Sequence, residues 1–400
     1  MVRMKTLLVF SHLRWNFVYQ RPQHLLTRLA ERWPVVFIEE PVPNAAEDRM
    51  ERISAAPGVQ VWRPHLRGAE HGFHAAHQAG LRRLVAQCVA EQGIDDYWVW
   101  FYTPMALPAA GALAPAGVVY DCMDELSAFR GAPPELLEQE TQLLRVADVV
   151  FTGGVSLFEA KRHRHPNIHC FPSSVDASHF RGGAGDHPMQ REIARPRLGY
   201  CGVIDERIDL ELIAGVADAR PAWQIVMVGP TAKIDPGHCP RRPNIHWLGQ
   251  QSYQDLPAFI GGWDVCLLPF ALNESTRFIS PTKTLEYMAC GKPSVGTAIR
   301  DVAEPYGQVV PIRDDAAGFV AACEEILART PQQRHEHALA LGEVISRTSW
   351  DATAAAMMEL ILEAETGRGR SGAARPQAGQ VGAETAGLPR AAGSTAVLAA

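Results

Sequence analysis

Short apolar runs alternate with amphipathic stretches along most of this 400-residue chain. In the first half, a helix is predicted over 20–32, where Leu25, Leu26 and Leu29 share one face. The runs predicted as strands in this half are 5–11, 34–39, 97–102, 118–121 and 148–152. Because strand–helix alternation is typical of βαβ units, the pattern predicts a parallel sheet covered by helices.

The same alternation begins again at Arg197. The predicted strands of the second half are 197–202, 224–229, 245–248 and 264–270, and the predicted helices are 209–220, 252–261, 316–329, 331–345 and 348–363. Residues 171–197 lack apolar periodicity and are rich in Gly, Pro and Ser, which is typical of a linker. The predicted fold class is therefore α/β, with two doubly wound, Rossmann-like domains.

These patterns give a division of the chain into five parts. Residues after Gly367 are mostly Ala, Gly, Arg, Ser and Pro, a composition that cannot bury enough surface to become ordered. The predicted parts are an N-terminal domain (1–172), a linker (173–196), a C-terminal domain (197–347), a final helix (348–366) and a disordered tail (367–400).

Composition narrows the possible functions. Hydrophobic residues make up 47% of the chain, and the net charge of −6 is spread without a strong block, which argues against nucleic acid as a partner. The eight cysteines are scattered without a CxxC pair, as expected for reduced thiols in the cytoplasm. The N-terminal apolar run is too short for a signal peptide or a membrane span. No His, Cys, Asp and Glu spacing predicts a metal site.

Residues 278–295 predict a helix with a ligand at its start. Ser280 suits the N-cap, Pro281 the first helical position and Gly291 the C-terminal end. Free N–H groups at a helix start attract an anion such as a diphosphate, and Lys283 adds a positive charge there. Glu286, one turn on and on the side shared with Thr282, can accept hydrogen bonds from a ribose diol. The alternative is a surface helix with an ordinary Lys283–Glu286 pair.

Polar residues in the first half follow predicted strands, where open α/β sheets bind ligands. His12, Arg14 and Trp15 follow the first strand, and Arg21 begins the helix after them. Asp121 and Asp124 follow another strand and are candidate catalytic bases, with His12 as a further catalytic candidate and Arg14, Trp15 and Arg21 as acceptor-binding candidates. The alternative for Asp124 is a helix cap near Leu126. The basic run 161–165 predicts a solvated helix end, with contact to anionic lipid as an alternative.

Together these features resemble the GT-B glycosyltransferases. The resemblance rests on the two α/β halves, the turn GVIDERID (202–209), the helix start SPTKTLEYMACGKPSV (280–295) and a last helix opened by Ser349 and Trp350. The chain is similar to the family-4-like group that uses nucleotide sugars, and especially to bacterial cell-surface polysaccharide transferases of the teichuronic-acid type. The resemblance covers about residues 4–365.

The resemblance implies a fold, an activity and several donor-site residues. It implies two domains that face each other across a cleft, with the last helix crossing back. Glu286 matches a glutamate that binds the donor ribose, and the amides near Pro281 and Thr282, preceded by Ser280, match a diphosphate-binding helix start. The implied donor site also includes Lys283, Gly202 and Arg207, the last where relatives carry a basic residue for the diphosphate. No cofactor or metal is implied; the donor is a UDP- or GDP-sugar used as substrate.

The implied acceptor is a saccharide or a lipid-linked saccharide. The location predicted from the cysteines is cytoplasmic, with peripheral contact to the inner membrane surface as an alternative. One position departs from the family. Relatives with two glutamates place the first eight residues before the second, where this chain has Phe278, and Glu274 is four residues too early. Retention and inversion of the anomeric configuration therefore both stay open, as do a nucleotide-sugar epimerase and a non-catalytic nucleotide-binding protein.

Overall fold

The computed structural model describes residues 5–181 and 185–371, with side chains up to 367. The chain forms two compact units. The first unit comprises Met1–Gly153, Leu157–Phe171 and Ala354–Ala400, and the second comprises Gly154–Ser156 and Pro172–Thr353. Both are α/β, as the alternation of apolar runs and amphipathic stretches predicted.

The first unit contains eight strands in one sheet. Its strands are β1 (Thr6–Phe10), β2 (Val35–Ile38), β3 (Arg49–Ala56), β4 (Val59–His65), β5 (Tyr97–Phe101), β6 (Gly117–Cys122), β7 (Val149–Thr152) and β8 (Ile168–Cys170). Its helices are α1 (Arg21–Leu29), α2 (Gln78–Glu91), α3 (Leu136–Val146) and α4 (Val155–Lys161), whose first two residues belong to the second unit.

The strand order of this sheet is β3-β4-β2-β1-β5-β6-β7-β8. All neighbours are parallel except β3 and β4, which are antiparallel. Residues of β1, β2, β5 and β7 are buried along their whole length, as expected for strands covered on both faces. The order reverses between β1 and β5, and the carboxyl ends of these parallel strands share one edge.

The second unit contains a five-stranded parallel sheet with the order β11-β10-β9-β12-β13. Its strands are β9 (Arg197–Cys201), β10 (Gln224–Val228), β11 (Ile245–Trp247), β12 (Val265–Leu268) and β13 (Ser294–Gly296). Its helices are α5 (Ala177–Arg181), α6 (Leu210–Ala219), α7 (Leu256–Gly261), α8 (Thr282–Ala289), α9 (Arg300–Tyr306), α10 (Ala316–Leu327) and α11 (Pro331–Ile345).

Local sequence signals explain several helix boundaries of the second unit. The Asp209 side chain accepts a hydrogen bond from Leu212 N at 2.8 Å and so caps α6. Thr330 and Gln333 form a capping box at the start of α11, which has Pro331 at its first position. Gly291 has a positive φ of 67° directly after α8, as the sequence predicted for the end of that helix.

The sequence analysis missed strands β3, β4 and β8 and helices α2, α3, α5 and α9. β3 and β4 form an antiparallel pair at the sheet edge, β8 follows α4, and α9 follows β13. Every residue of β3 is half-buried or exposed, and its sequence, RMERISAA, is rich in charge. Such an edge strand carries too few apolar residues for periodicity to reveal it.

The segment predicted as a linker is packed with the second unit. Val175 and Phe180 are each 1% exposed and belong to the core of that unit, and Gln190 is fully buried. The Gln190 side chain accepts from Trp263 Nε1 at 3.0 Å and donates to Phe259 O at 2.9 Å. Specific side-chain contacts therefore order a segment that lacks regular periodicity.

The final helix is longer than predicted. α12 (Trp350–Ser371) continues four residues beyond Gly367, where disorder was expected to begin. Its residues from Ala354 onward are grouped with the first unit, where Glu365 accepts from Lys5 Nζ at 2.6 Å. The remainder of the predicted tail, 372–400, lies outside the described residues.

The basic run 161–165 is not simply a solvated helix end. Lys161 is 3% exposed and its Nζ lies 2.7 Å from carboxylate oxygens of both Glu140 and Glu125. Arg164 also pairs with Glu140. Burial alone would raise the pKa of Glu140, but the neighbouring cations Lys161 and Arg164 outweigh it and lower that pKa below its usual value. Two cations of the run therefore neutralise a buried carboxylate.

Gly199 in β9 packs directly against a buried tryptophan. A Cβ at this position would lie 1.8 Å from the Trp263 ring, and Trp263 is itself fully buried. We therefore expect Gly199→Ala to lower the free energy of unfolding by about 1–3 kcal/mol, the usual cost of overpacking a core. The measurement is chemical unfolding of the full-length protein. Gly342→Ala is the matched control, because nothing lies within 4 Å of the added Cβ in α11, and it should be neutral or stabilising.

Candidate functional site

Lys283 and Glu286 form a largely buried pair in α8. Lys283 Nζ donates to Glu286 Oε2 at 3.0 Å, and the two side chains are 17% and 3% exposed. Burial alone would lower the pKa of Lys283, but the charge of Glu286 and their hydrogen bond outweigh it, and the pKa is raised above its usual value. The predicted pair exists, but the surface-helix alternative is wrong because Glu286 is buried.

The start of α8 differs from the prediction by one residue. Pro281, not Ser280, occupies the N-cap position, and no side chain caps the helix. The Ser280 hydroxyl instead accepts from Ser173 N at 3.2 Å, and its carbonyl accepts from the Ser173 hydroxyl. The proline ring at 281 has no N–H, and the chain before α8 is held by Ser173. An uncapped helix start leaves backbone N–H groups, beginning with Thr282, available to an anion.

Two glycines bring the ends of β9 and β10 close to α8. Gly202 and Gly229 have φ values of 151° and 145°, which L side chains rarely adopt. A Cβ on Gly229 would lie 1.8 Å from Gly202 O, and one on Gly202 would lie 3.4 Å from Lys283 Cε and 2.6 Å from Tyr200 Oη. Gly202 therefore lies beside Lys283, and only glycine can occupy this position.

Arg207 is held in place by a carboxylate that the sequence analysis did not single out. Asp205 is 1% exposed and binds Arg207 at 2.9 Å (Oδ1 to Nε) and 2.6 Å (Oδ2 to Nη2). The Arg207 side chain is still 23% exposed. Burial raises the pKa of the Tyr200 hydroxyl. The charges of Arg207 and Glu286 also affect this pKa, so both residues lie near the buried Tyr200. The structure therefore brings Gly202, Arg207, Lys283 and Glu286 together.

Neither Phe278 nor Glu274 takes part in the buried Lys283–Glu286 pair. Glu274 begins a 3-10 helix (Glu274–Thr276), its side chain is 77% exposed, and it lies 3.6 Å from Arg277. The Arg277 guanidinium lies 5.1 Å from the Phe278 ring centroid. The exposed Glu274 is engaged with Arg277 on the surface.

In the first unit, Asp121 and Arg21 bind each other. The Asp121 side chain is fully buried, and Arg21 donates to it from Nε at 3.0 Å and from Nη2 at 2.9 Å. Arg21 Nη1 also donates to Phe171 O at 2.8 Å. This geometry corrects two predicted roles, because a carboxylate enclosed with a bidentate arginine is not available as a general base, and Arg21 is not available to an acceptor.

Arg14 and Trp15 converge on Glu39, a buried residue that the sequence analysis missed. Arg14 Nη1 donates to Glu39 Oε2 at 3.0 Å, and Trp15 N donates to Glu39 Oε1 at 2.9 Å. Trp15 is 7% exposed and packs edge-on against Phe37, so it is a core residue and not a contact for an acceptor. Arg14 is 29% exposed and keeps its predicted role as a candidate, as does half-buried His12 in the same loop.

Asp124 is half-buried directly after β6. The 3-10 helix that follows (Leu126–Ala128) has Glu125 at its cap position and no side-chain cap, so the capping alternative for Asp124 is wrong. Glu125 instead accepts from Lys161 Nζ at 2.7 Å and from the Ser127 hydroxyl at 2.6 Å. Of the two predicted bases, Asp124 is the one that the structure leaves accessible.

Among the described residues, no group of three or more His, Cys, Asp or Glu side chains has an arrangement that could hold a metal ion. Within the same part of the chain, no helix is both long enough and apolar enough to span a membrane.

Part of the second unit matches a known family model. Residues 195–329 match the model described as "Glycosyl transferases group 1". The fold is that of solved GT-B enzymes: sucrose-phosphate synthase from Thermosynechococcus elongatus (TM-score 0.68, 16% identity) covers 91% of this chain and 100% of its own. HepE of Anabaena, solved with UDP and glucose, has a TM-score of 0.63 and 15% identity, covering 90% of this chain and 100% of its own.

A curated relative agrees with the predicted subgroup. A protein described as a teichuronic acid biosynthesis glycosyltransferase, TuaH of Bacillus subtilis (strain 168), is 24% identical over 242 residues, which are 55% of this chain. The match spans 60% of that relative's length. The solved structures confirm the predicted GT-B fold, and the comparisons give no support to an epimerase or a non-catalytic binding protein.

The Asp121–Arg21 pair predicts a structural effect for Asp121→Asn. Removing one charge of a buried ion pair leaves the other uncompensated, so we expect the free energy of unfolding to fall by about 3–5 kcal/mol. Chemical unfolding of the full-length protein measures this. Asp96→Asn is the control, because Asp96 is 31% exposed and lies 3.7 Å from Lys5 Nζ, and it should cost about 1 kcal/mol or less. A fully stable Asp121→Asn protein that has lost sugar transfer would restore the base role.

Proposed function

We propose that this protein is a metal-independent glycosyltransferase. It moves a sugar from a nucleoside-diphosphate sugar to a saccharide or lipid-linked acceptor in cell-surface polysaccharide synthesis. The observation that carries the proposal is the buried Glu286 carboxylate, held by Lys283 near the uncapped start of α8. The family match over residues 195–329 and the relative TuaH support the same activity.

In the proposed donor site, the diphosphate binds at the start of α8. Backbone N–H groups near Thr282 and the ammonium of Lys283 face the anion, and Glu286 accepts hydrogen bonds from the two ribose hydroxyls. Because Gly202 and Gly229 have no side chain, a phosphate group can approach the strand ends closely.

The positive charge needed when the nucleoside diphosphate leaves comes from Lys283 and Arg207. Asp205 fixes Arg207 through two hydrogen bonds, so its guanidinium is oriented before the substrate binds. Preorganised charge of this kind stabilises a developing anion without reorganisation during the reaction. Arg207 and Lys283 then do the work that a divalent metal does in other transferases.

UDP-sugars are the first donors to test, with GDP-sugars second. Two structures with this fold were solved with uridine nucleotides, HepE with UDP and glucose and an E. coli trehalose-6-phosphate protein with UDP-2-fluoro glucose. The latter has a TM-score of 0.66 and 13% identity, and covers 90% of this chain and 99% of its own. Their fold likeness makes UDP the better starting point.

The acceptor is assigned to the first unit. Asp124 is the proposed general base, because Asp121 is enclosed by Arg21, and His12 and Arg14 in the loop after β1 are the proposed acceptor contacts. A base at Asp124 supports inversion by direct attack of the acceptor hydroxyl.

We further propose a cytoplasmic location with peripheral contact to the inner membrane surface. All eight cysteines are free thiols, as expected in a reducing compartment. The membrane contact is assigned to the exposed Arg162 and His163, because Lys161 and Arg164 of the same run are paired with Glu140.

The first functional prediction concerns Glu286. We expect Glu286→Ala to weaken UDP binding by about 1–3 kcal/mol, because a carboxylate bound to a diol makes charge-assisted hydrogen bonds. The affinity for UDP is measured by titration calorimetry. The same titration with dUDP, which lacks one ribose hydroxyl, should show a smaller difference in affinity between wild type and Glu286→Ala. Glu324→Ala in α10, an exposed glutamate paired with Arg220, is the control. Equal UDP affinity in wild type and Glu286→Ala would remove Glu286 from the site.

The second functional prediction separates turnover from affinity. Lys283→Ala and Arg207→Ala should each lower kcat more than they raise the Kd for UDP-sugar, because their charge is needed most when the diphosphate leaves. Steady-state kinetics with the best donor, together with calorimetric Kd values, measure both. Arg220→Ala, which removes an exposed arginine of the same unit, is the control. Equal losses in kcat and affinity would assign Lys283 and Arg207 to ground-state binding.

A further inference from the structure

A row of alternating charges crosses the carboxyl edge of three neighbouring strands in the first unit. Glu39 accepts from Arg14 at 3.0 Å and from Arg63 Nε at 2.7 Å. Glu51 continues the row, 3.5 Å from Arg63 Nη1 and 2.9 Å from His65 Nε2. The row therefore runs from the loop after β1, past the end of β2, to the end of β4 and the start of β3.

A pocket of about 530 Å³ lies where this row ends. The loop after β2 (residues 42–47) forms one wall, and the side chains of Arg49 and His65, which are paired across β3 and β4, form another. Arg49 is exposed, and its charge lowers the pKa of Glu51 after the stronger effects of the His65 hydrogen bond and the Arg63 charge. Glu47 is the one carboxylate in the lining.

Arg49 differs from the other arginines of the row. Arg14 and Arg63 are each bound to Glu39, whereas the Arg49 side chain makes no hydrogen bond or ion pair with any residue in 5–181 or 185–371. The ion pairs of the row are sufficient to hold the sheet edge together without it. The N–H donors of the Arg49 guanidinium are therefore all unused. This guanidinium lines the same wall of the pocket as the His65 imidazole.

The position of the pocket relates it to the proposed acceptor. The strand order reverses between β1 and β5, and ligands of open α/β sheets bind at the carboxyl edge of such a point. β4 is two strands from β1, and neighbouring strands are about 4.8 Å apart, so the pocket is roughly 10 Å along the edge from that point. An acceptor whose reacting sugar lies at the switch point can reach the pocket with a second sugar unit.

We propose that this pocket binds an oxyanion, a phosphate or a carboxylate, carried by the acceptor beyond its reacting sugar. A guanidinium presents a planar fork of donors that matches such oxygens, and His65 adds a ring nitrogen on the same wall. The acceptor is then an anionic saccharide, and the pocket selects it by its charge. This inference rests on the proposed function for the identity of its ligand as an acceptor.

The test measures anion binding to the full-length protein without turnover. Inorganic phosphate and glucuronate are each titrated by calorimetry at constant ionic strength, with saturating UDP present so that the donor site is filled. Wild type is compared with Arg49→Ala and with Arg32→Ala. Arg32 is an exposed arginine of the same unit that precedes β2 at the opposite, amino edge of the sheet, and its side chain has no hydrogen bond or ion pair with the described residues.

We expect at least one of the two anions to bind at least tenfold more weakly to Arg49→Ala than to wild type, with Arg32→Ala unchanged. The anion that shows this loss identifies the oxyanion as phosphate or carboxylate. Both variants change exposed, unpaired side chains, so their unfolding midpoints should equal that of wild type. Equal binding of both anions to wild type and Arg49→Ala, or equal losses in the two variants, would overturn the proposal.

The same titrations separate this proposal from the function it rests on. UDP binding is measured in the absence of phosphate and glucuronate, and it depends on α8 and not on Arg49. Absent UDP binding with an Arg49-dependent anion site would contradict the proposed donor and leave the pocket standing. Normal UDP binding without an Arg49-dependent anion site would contradict the pocket alone.

Discussion

A carboxylate that leaves water must meet a cation or several N–H donors, because an unpaired buried charge costs several kcal/mol. Several sites in the described part of the chain satisfy that requirement with different partners. Glu286 meets Lys283, Asp121 meets Arg21, Glu39 meets Arg14 and Arg63, and Glu140 meets Lys161 and Arg164. Each pairing limits what its residues can do: Arg21, which is itself buried and bound to Asp121, is not free for a substrate.

Exposure distinguishes the Asp121–Arg21 pair from the two ion pairs of the proposed donor site. Arg21 and Asp121 are 4% and 0% exposed, and this pair stabilises the first unit. In the second unit, Arg207 is 23% exposed although Asp205 is fully enclosed, and Lys283 is 17% exposed over Glu286. In these two pairs the carboxylate is buried and the cation reaches the surface. That arrangement orients a positive charge toward solvent, which is what an anionic leaving group requires.

Close approach of the backbone is the second feature of the proposed donor site. Gly202 and Gly229 let the ends of β9 and β10 come together beside Lys283, and a side chain at either position would collide with backbone or with Tyr200. The pairs and the glycines act on the same edge of the second sheet. The proposed donor site therefore depends on strand ends that only small residues and paired charges can build.

Apolar periodicity and helix-end signals in the sequence determined the α/β class, most strands of both sheets and the extent of α8 to within a few residues. Helix-end signals also singled out Lys283 and Glu286, because capping and dipole effects act over a few neighbouring residues, whereas Gly202 and Arg207 followed from the resemblance to GT-B glycosyltransferases. The tertiary structure alone decided that Asp121 faces Arg21, one hundred residues away, and that Trp15 packs on Phe37. It also decided that Glu39 gathers Arg14 and Arg63, because β4 and β2 are neighbours only in the folded sheet. Local signals specify elements and their ends, whereas the partner of a buried charge depends on which strands become neighbours.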